Sequence, residues 1–190
     1  MEKLHGFSEY KKAHYQSSCF TRFIREGAPA LLLCHEERLV EGVILEESPF
    51  DLVIKTEEES FTLPKVEVKA CAAADQKENL SKLIKKEKKV AAKKLAPILA
   101  PGLRHFIKNK SLFPLMVERN VLFFTLLEGE IIKGLVTGFS RYDVVVHMKG
   151  GVEITLLRHA IFDVRDKKGR CYLKSVQKKT RDWKKSEVYA

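Results

Sequence analysis

The sequence predicts a mostly β protein with helices, folded as two small five-stranded barrels, each preceded by a helix and joined by a basic helical linker. Three observations predict it. The same series of short apolar runs occurs twice, a glycine recurs at the same place inside the second run of each series, and the lysines gather between and after the two series. At 190 residues with a hydrophobic fraction of 45%, the chain is long and apolar enough to fill two small cores.

The elements follow in chain order. In SEYKKAHYQSSCFTRFIREG, the residues Tyr15, Cys19, Phe20 and Phe23 recur on one helical face, and Gly27 supplies a stop. The runs ALLLCH, RLVEGVILEE, FDLVIKT and SFTLPKVEVKAC, between Ala30 and Cys71, are each of strand length and are broken at polar or proline positions. The next stretch carries Leu80, Leu83, Ile84, Ala91 and Leu95 at helical spacing. That predicts an amphipathic linker helix of about 20 residues, ended by Pro97 and the Pro101-Gly102 pair. A second leading helix is read in SLFPLMVERN, with Ser111 as N-cap and Pro114 in its first turn.

Residues 121–164 then repeat the strand plan. A shift of 92 lays Gly42 on Gly134, Phe50 on Tyr142 and Asp51 on Asp143, and two residues are added near Gly150 and Gly151 to align the last strands. Five strands in so short a repeat ask for a strongly bent sheet or barrel, and a strand glycine lets such a sheet turn a corner. The expected division is residues 7–74 for the first repeat, 75–110 for the lysine-rich linker, 111–165 for the second repeat, and 166–190 for a basic tail without periodicity, expected to be mobile.

Charge follows the same division. Residues 1–74 hold 9 basic and 13 acidic side chains, residues 75–110 hold 11 and 3, residues 111–165 hold 6 and 6, and residues 166–190 hold 9 and 3. The excess of +10 therefore sits in the linker and the tail, which points to an anionic polymer or a membrane surface as partner, with a merely solvated face as the alternative. Cys19, Cys34, Cys71 and Cys171 lie far apart with no Cys-x-x-Cys pair, so neither a zinc ribbon nor a redox pair is expected. The amino terminus lacks an apolar signal core, and no apolar run nears the roughly 20 residues that span a bilayer, so a cytoplasmic location away from membranes is expected. No phosphate loop, nucleophile elbow or metal-ligand spacing of histidines occurs, and the expectation is a protein without catalytic residues, metal or cofactor.

A helix followed by five short strands, with a glycine in the second and His-Ala-Ile at the entry to the fifth, resembles the bacterial Sm-like (Hfq) family. The likeness covers roughly residues 15–71 and 111–164. In the second repeat, GEIIKG is similar to the family's Gly-x-x-x-x-Gly stretch, FSRYDVVV to its Phe-Asp-Gln-Phe/Tyr run, and LLRHAI to its Tyr-Lys-His-Ala-Ile. The first repeat keeps Gly42 and SPFDLVIK, but Pro64 and Lys65 stand where the Lys-His pair belongs.

The resemblance implies Sm-like (SH3-like) barrels that join edge to edge, and with two per chain a homo-oligomer, three chains forming a ring of six barrels, with two stacked rings or an isolated pseudo-dimer as the alternatives. It also implies single-stranded, uridine-rich RNA as ligand. Carried over by position, Tyr142 is the base-stacking residue with Arg141 beside it, Arg158 and His159 replace the Lys-His pair, Phe50 and Lys65 are their counterparts in the first repeat, and Arg119 belongs to a rim of arginines with Arg22 and Arg25. The chemistry suits the role, since an exposed aromatic offers a stacking face and arginine pairs with phosphate. Positions matching the family's adenine site hold Leu33 and Thr125, a poor fit. Trp183 in the tail is a further ring for a base, or for packing on the protein's own barrel. The expected function is RNA binding, as an RNA chaperone or post-transcriptional regulator. The alternative is an Sm-like protein-interaction scaffold that has lost specific RNA binding.

Overall fold

The computed structural model describes residues 4–173. In chain order the elements are α1 (Phe7–His14), α2 (Cys19–Glu26), β1 (Pro29–Cys34), β2 (Leu39–Glu47), β3 (Asp51–Lys55), β4 (Ser60–Pro64), β5 (Val68–Ala73), α3 (Lys77–Leu83), β6 (Lys85–Lys86), α4 (Lys88–Ala91), α5 (Asn109–Val117), β7 (Val121–Leu126), β8 (Glu130–Phe139), β9 (Asp143–His147), β10 (Glu153–Leu157) and β11 (Ile161–Asp166). All eleven strands belong to one antiparallel sheet in the order β11-β7-β8-β9-β10-β5-β1-β2-β3-β4, with β6 added to β8.

This corrects the expectation of two separate five-stranded barrels. Each half does repeat one strand order, fifth, first, second, third, fourth, but the halves fuse where β5 pairs with β10, Cys71 opposite Thr155 and Ala70 opposite Leu156. The physical reason is that β5 would otherwise carry an unpaired edge and bare apolar residues. Leu31, Leu33, Ala70 and Ala72 of the first half join the core of the second, and Leu157 of the second joins the core of the first. Among the described residues, no helix is long and apolar enough to cross a membrane.

The helices depart further from expectation. The single leading helix is two, because Ser18 takes an extended conformation and caps α2 by accepting the N–H of Phe20 at 3.2 Å. α2 buries Phe20 and Phe23 in the first half and ends at Gly27 in the left-handed region. α1 instead packs on the second half, with Phe7 and Tyr10 against Phe113 of α5. α5 starts at Asn109, two residues before the expected cap, and holds Pro114 in its interior.

The linker is not one helix. Its apolar residues are drawn to three places, since Leu80 enters the second half's core, Lys85 and Lys86 pair with β8, and Val90 is buried with Leu127 and Phe162. Tertiary contacts thus override helix propensity. The strand glycines make room for a neighbouring strand: a Cβ on Gly42 would stand 2.6 Å from the Lys55 carbonyl, and one on Gly134 would collide with that of His147.

Charged groups close the joint between the halves. Lys69 on β5, only 1% exposed, is ion-paired to Glu128 and Glu130 of the second half, and the N–H of Glu36 donates to Glu128 Oε1 at 2.6 Å. Arg22 on α2 reaches Glu153 on β10 at 2.9 Å.

Candidate nucleic-acid interface

The turn from β8 to β9 reads Ser140-Arg141-Tyr142-Asp143, and the turn from β2 to β3 reads Ser48-Pro49-Phe50-Asp51. They are built alike. The serine N–H donates to the aspartate carbonyl, at 3.1 Å from Ser140 and 3.0 Å from Ser48. The serine hydroxyl then accepts the two following N–H groups, from Tyr142 at 3.0 Å and Asp143 at 3.2 Å in one turn, and from Phe50 at 3.4 Å and Asp51 at 3.0 Å in the other. Such serine turns fix the backbone locally. The carbonyl of each aromatic residue is held as well, by the N–H of Arg158 on Tyr142 at 2.9 Å and by the N–H of Lys65 on Phe50 at 2.7 Å.

Pinned on both sides, the rings point outward. Phe50 is 79% exposed and Tyr142 is 52% exposed. The two turns flank the connection between α1 and α2. Tyr15 accepts the N–H of Arg141 at 2.9 Å, the N–H of Cys19 donates to Asp143 at 3.0 Å, and Ser18 donates to Glu47, next to the first turn, at 2.7 Å. The α1–α2 connection is therefore hydrogen-bonded to the Tyr142 turn on one side and to Glu47, beside the Phe50 turn, on the other.

Their electrostatic settings differ. Arg141 is exposed, with its guanidinium 5.7 Å from the Tyr142 ring, and Lys11 stands 4.9 Å from the ring of Tyr15 nearby. Phe50 follows the acidic pair Glu46 and Glu47, and Lys65 spends its charge on Glu47 at 2.6 Å.

Arg158 and His159 are turned into the fold. Arg158 is 7% exposed, its guanidinium stacked near Phe139 and Phe106, with Nη1 donating to the Ile107 carbonyl at 3.4 Å. Burial lowers its pKa to about 10, and it stays cationic at neutral pH. His159 lies 2.9 Å from the Val68 carbonyl across the joint, and burial pulls its pKa down to about 4. It is therefore neutral, with Nε2–H as the donor, because a carbonyl can only accept.

The register also moves the first-repeat assignments. Lys55 faces Ser60, and His147 faces Glu153, so the second half has one added residue here, where two were expected. Lys65 is thus the counterpart of Arg158, and Val66 is the counterpart of His159. Arg119 is exposed at the end of α5 with φ 53°.

A second charged feature is the linker. Lys82, Lys85, Lys88, Lys89, Lys93 and Lys94 are exposed on ordered backbone, and within the described residues only Lys86 of this run is ion-paired, to Glu37. Residues 174–190 of the expected basic tail, Trp183 among them, lie outside the described residues.

Phe50 and Tyr142, singled out in the sequence, stand exposed on turns of the same build, and the serines that hold those turns were not singled out. The signal was present, since Ser48 and Ser140 obey the same shift of 92 as the rings. Comparison of the chain with protein families, with curated proteins and with solved structures finds no match.

Proposed function

We propose that the protein is a non-catalytic RNA-binding protein related to the bacterial Sm-like family, holding single-stranded, uridine-rich RNA in the cytoplasm as an RNA chaperone or post-transcriptional regulator. The observation that carries the reading is the repeated Ser-x-aromatic-Asp turn, which offers one fixed and exposed ring in each half. A ring already immobilised by its turn loses little freedom on stacking a base. Arg141 and the linker lysines supply the cations for phosphates, while Arg158 serves as a positioning residue behind the Tyr142 turn and His159 bonds the Val68 carbonyl across the joint.

Assembly is part of the reading. β4 has an open outer edge at the end of the sheet, and the β5–β10 joint is a template for pairing it with β11 of a second copy, which requires displacing Cys171 and Tyr172 from the outer edge of β11. Three chains would close such an assembly by a repeated head-to-tail interface. A scaffold without RNA binding is the second reading, favoured by the burial of Arg158 and by the acidic pair beside Phe50.

Fluorescence anisotropy with labelled oligouridine and oligoadenine, at two salt concentrations, separates the readings. Loss of one stacked base costs about 1–3 kcal/mol, so Tyr142→Ala should weaken oligouridine binding roughly 5- to 150-fold, and Phe50→Ala should weaken it less. Light scattering and melting temperature should stay at parent values. If Tyr142→Ala folds, assembles and binds oligouridine like the parent, Tyr142 is not the stacking residue and the basic segments hold the RNA; if the parent itself binds neither oligomer, the scaffold reading stands.

A further inference from the structure

The two halves differ along the first stretch of their second strand. β9 first reaches β8 at Leu135 and β3 first reaches β2 at Val43, positions that the shift of 92 makes equivalent. Ahead of Leu135 the chain itself adds a strand to β8, as Lys85 and Lys86 pair with Ile131 and Glu130. Ahead of Val43, residues Leu39 to Gly42 pair with β1 alone.

The backbone there is set to receive a strand. The Cys34 N–H donates to the Arg38 carbonyl at 2.8 Å on the β1 side, and successive strand residues turn their polar groups to opposite sides. Leu39 and Glu41 therefore turn their N–H and C=O groups away from β1. Leu39 is 54% exposed, whereas its equivalent Ile131 is half-buried beside β6. An unpaired row of this kind is a template for an added strand.

A groove of about 830 Å³ runs between this stretch of β2 and the turn from β3 to β4. Leu39, Leu45 and Phe61 give it an apolar lining, and Glu57, Glu58 and Glu59 bring negative charge from the turn. Those three are exposed and make no ion pair among the described residues, while Glu41 meets the exposed Lys77 at 2.9 Å. Among the described residues that line the groove, Lys55 is the one cation.

We infer that this groove is a docking site for an extended, lysine- or arginine-bearing segment of another protein, which adds a strand to β2 beside Leu39 and Glu41. Two observations choose that occupant. The glutamates attract cationic side chains and repel the phosphates of a nucleic acid. The equivalent place on β8 already holds a short basic strand, in which Lys86 pairs its backbone with Glu130 and its ammonium with Glu37. Groove and strand edge belong to one chain, so the inference needs neither RNA binding nor the head-to-tail assembly.

The probe is a capped octapeptide of alternating lysine and valine, added to the full chain, with anisotropy reporting affinity and residue-resolved amide exchange reporting place. Binding should slow exchange of the Leu39 and Glu41 N–H groups by about tenfold or more, because they gain ladder bonds. A glutamate–valine octapeptide should not bind. Replacing Glu57, Glu58 and Glu59 together by Gln should weaken the lysine peptide roughly tenfold, the sum of three exposed charge pairs. Leu39→Lys should abolish the protection, with circular dichroism unchanged in both variants. Equal binding of the two peptides overturns the charge assignment. Protection on β4 instead of β2 overturns the groove as the place. Unchanged exchange at Leu39 and Glu41 under millimolar lysine peptide, whether or not anisotropy rises, overturns the docking site.

Discussion

Acid should loosen the joint between the halves through His159, and the size of the effect follows from its surroundings. The ring is held neutral in the fold, with a pKa near 4 caused by burial, while an unfolded chain protonates it near 6.5. Between those values the unfolded state binds a proton that the folded state refuses, so stability is full above pH 6.5 and falls as pH drops toward 4. Linkage for one such site gives a loss of about 2 kcal/mol at pH 5 and about 3 kcal/mol at pH 4. The perturbation is His159→Gln, whose amide can still donate to the Val68 carbonyl but does not titrate.

Urea unfolding at one fixed protein concentration, at pH 8 and pH 5, is the assay. The parent should lose about 2 kcal/mol more than the variant between the two pH values, or roughly 1 M in midpoint for a slope of about 2 kcal/mol per M. His35 is also buried, which lowers its pKa and gives a residual fall of the same sign in both proteins, so the comparison is a difference of differences. Glu128 and Glu153 act later. Burial raises both, yet Lys69 on the first and His147 on the second pull them below the ordinary carboxylate value, so their contribution is lost only as pH falls from about 4.5. If parent and variant lose equal stability between pH 8 and pH 5, the assignment of His159 as a neutral donor across the joint is wrong.

The other predictions concern the core of the same joint and the bends of the sheet. Lys69→Met strips the cation from two partly buried carboxylates and should cost about 3 kcal/mol or more, recovered in large part by adding Glu128→Gln and Glu130→Gln. Chemical denaturation of the single and triple variants measures this, and a single variant as stable as the parent would refute it. Gly134→Ala forces a Cβ against the His147 carbonyl and should lower stability by about 1–3 kcal/mol, a drop of several degrees in melting temperature. An unchanged melting curve there would mean that β8 can relax away from β9 at no cost.

The strands were legible because each carries its own signal. Apolar runs of strand length alternate with turn residues, and Gly42 and Gly134 mark the places where a neighbouring carbonyl comes close. What joins the strands across the halves was not legible. The β5–β10 contact is a pairing of only two residues on each side, and Ala70 and Ala72 look like any small strand residues until Leu31 and Leu33 are seen to share the second half's core with them. The linker misled for a related reason. Leu80, Leu83 and Ile84 do have helical spacing, and α3 honours it, but Lys85 and Lys86 meet an unpaired stretch of β8, whose ladder bonds outweigh continuing the helix.

For the site, the resemblance located the turns but not the burial of the groups behind them. The resemblance puts Arg158 and His159 in the place of a Lys-His pair that contacts RNA. Their fate depends on residues remote in sequence, Phe106 and Ile107 over the guanidinium and Val68 opposite the imidazole, and no local pattern announces those contacts. The same register explains why the first half lacks the histidine. With one inserted residue between β9 and β10, Lys65 aligns with Arg158, and Val66 stands where His159 bonds across the joint. Only the second half can make that cross-joint hydrogen bond from its side chain. An exchange of Val66 and His159 should therefore weaken the joint within a chain without disturbing either aromatic turn.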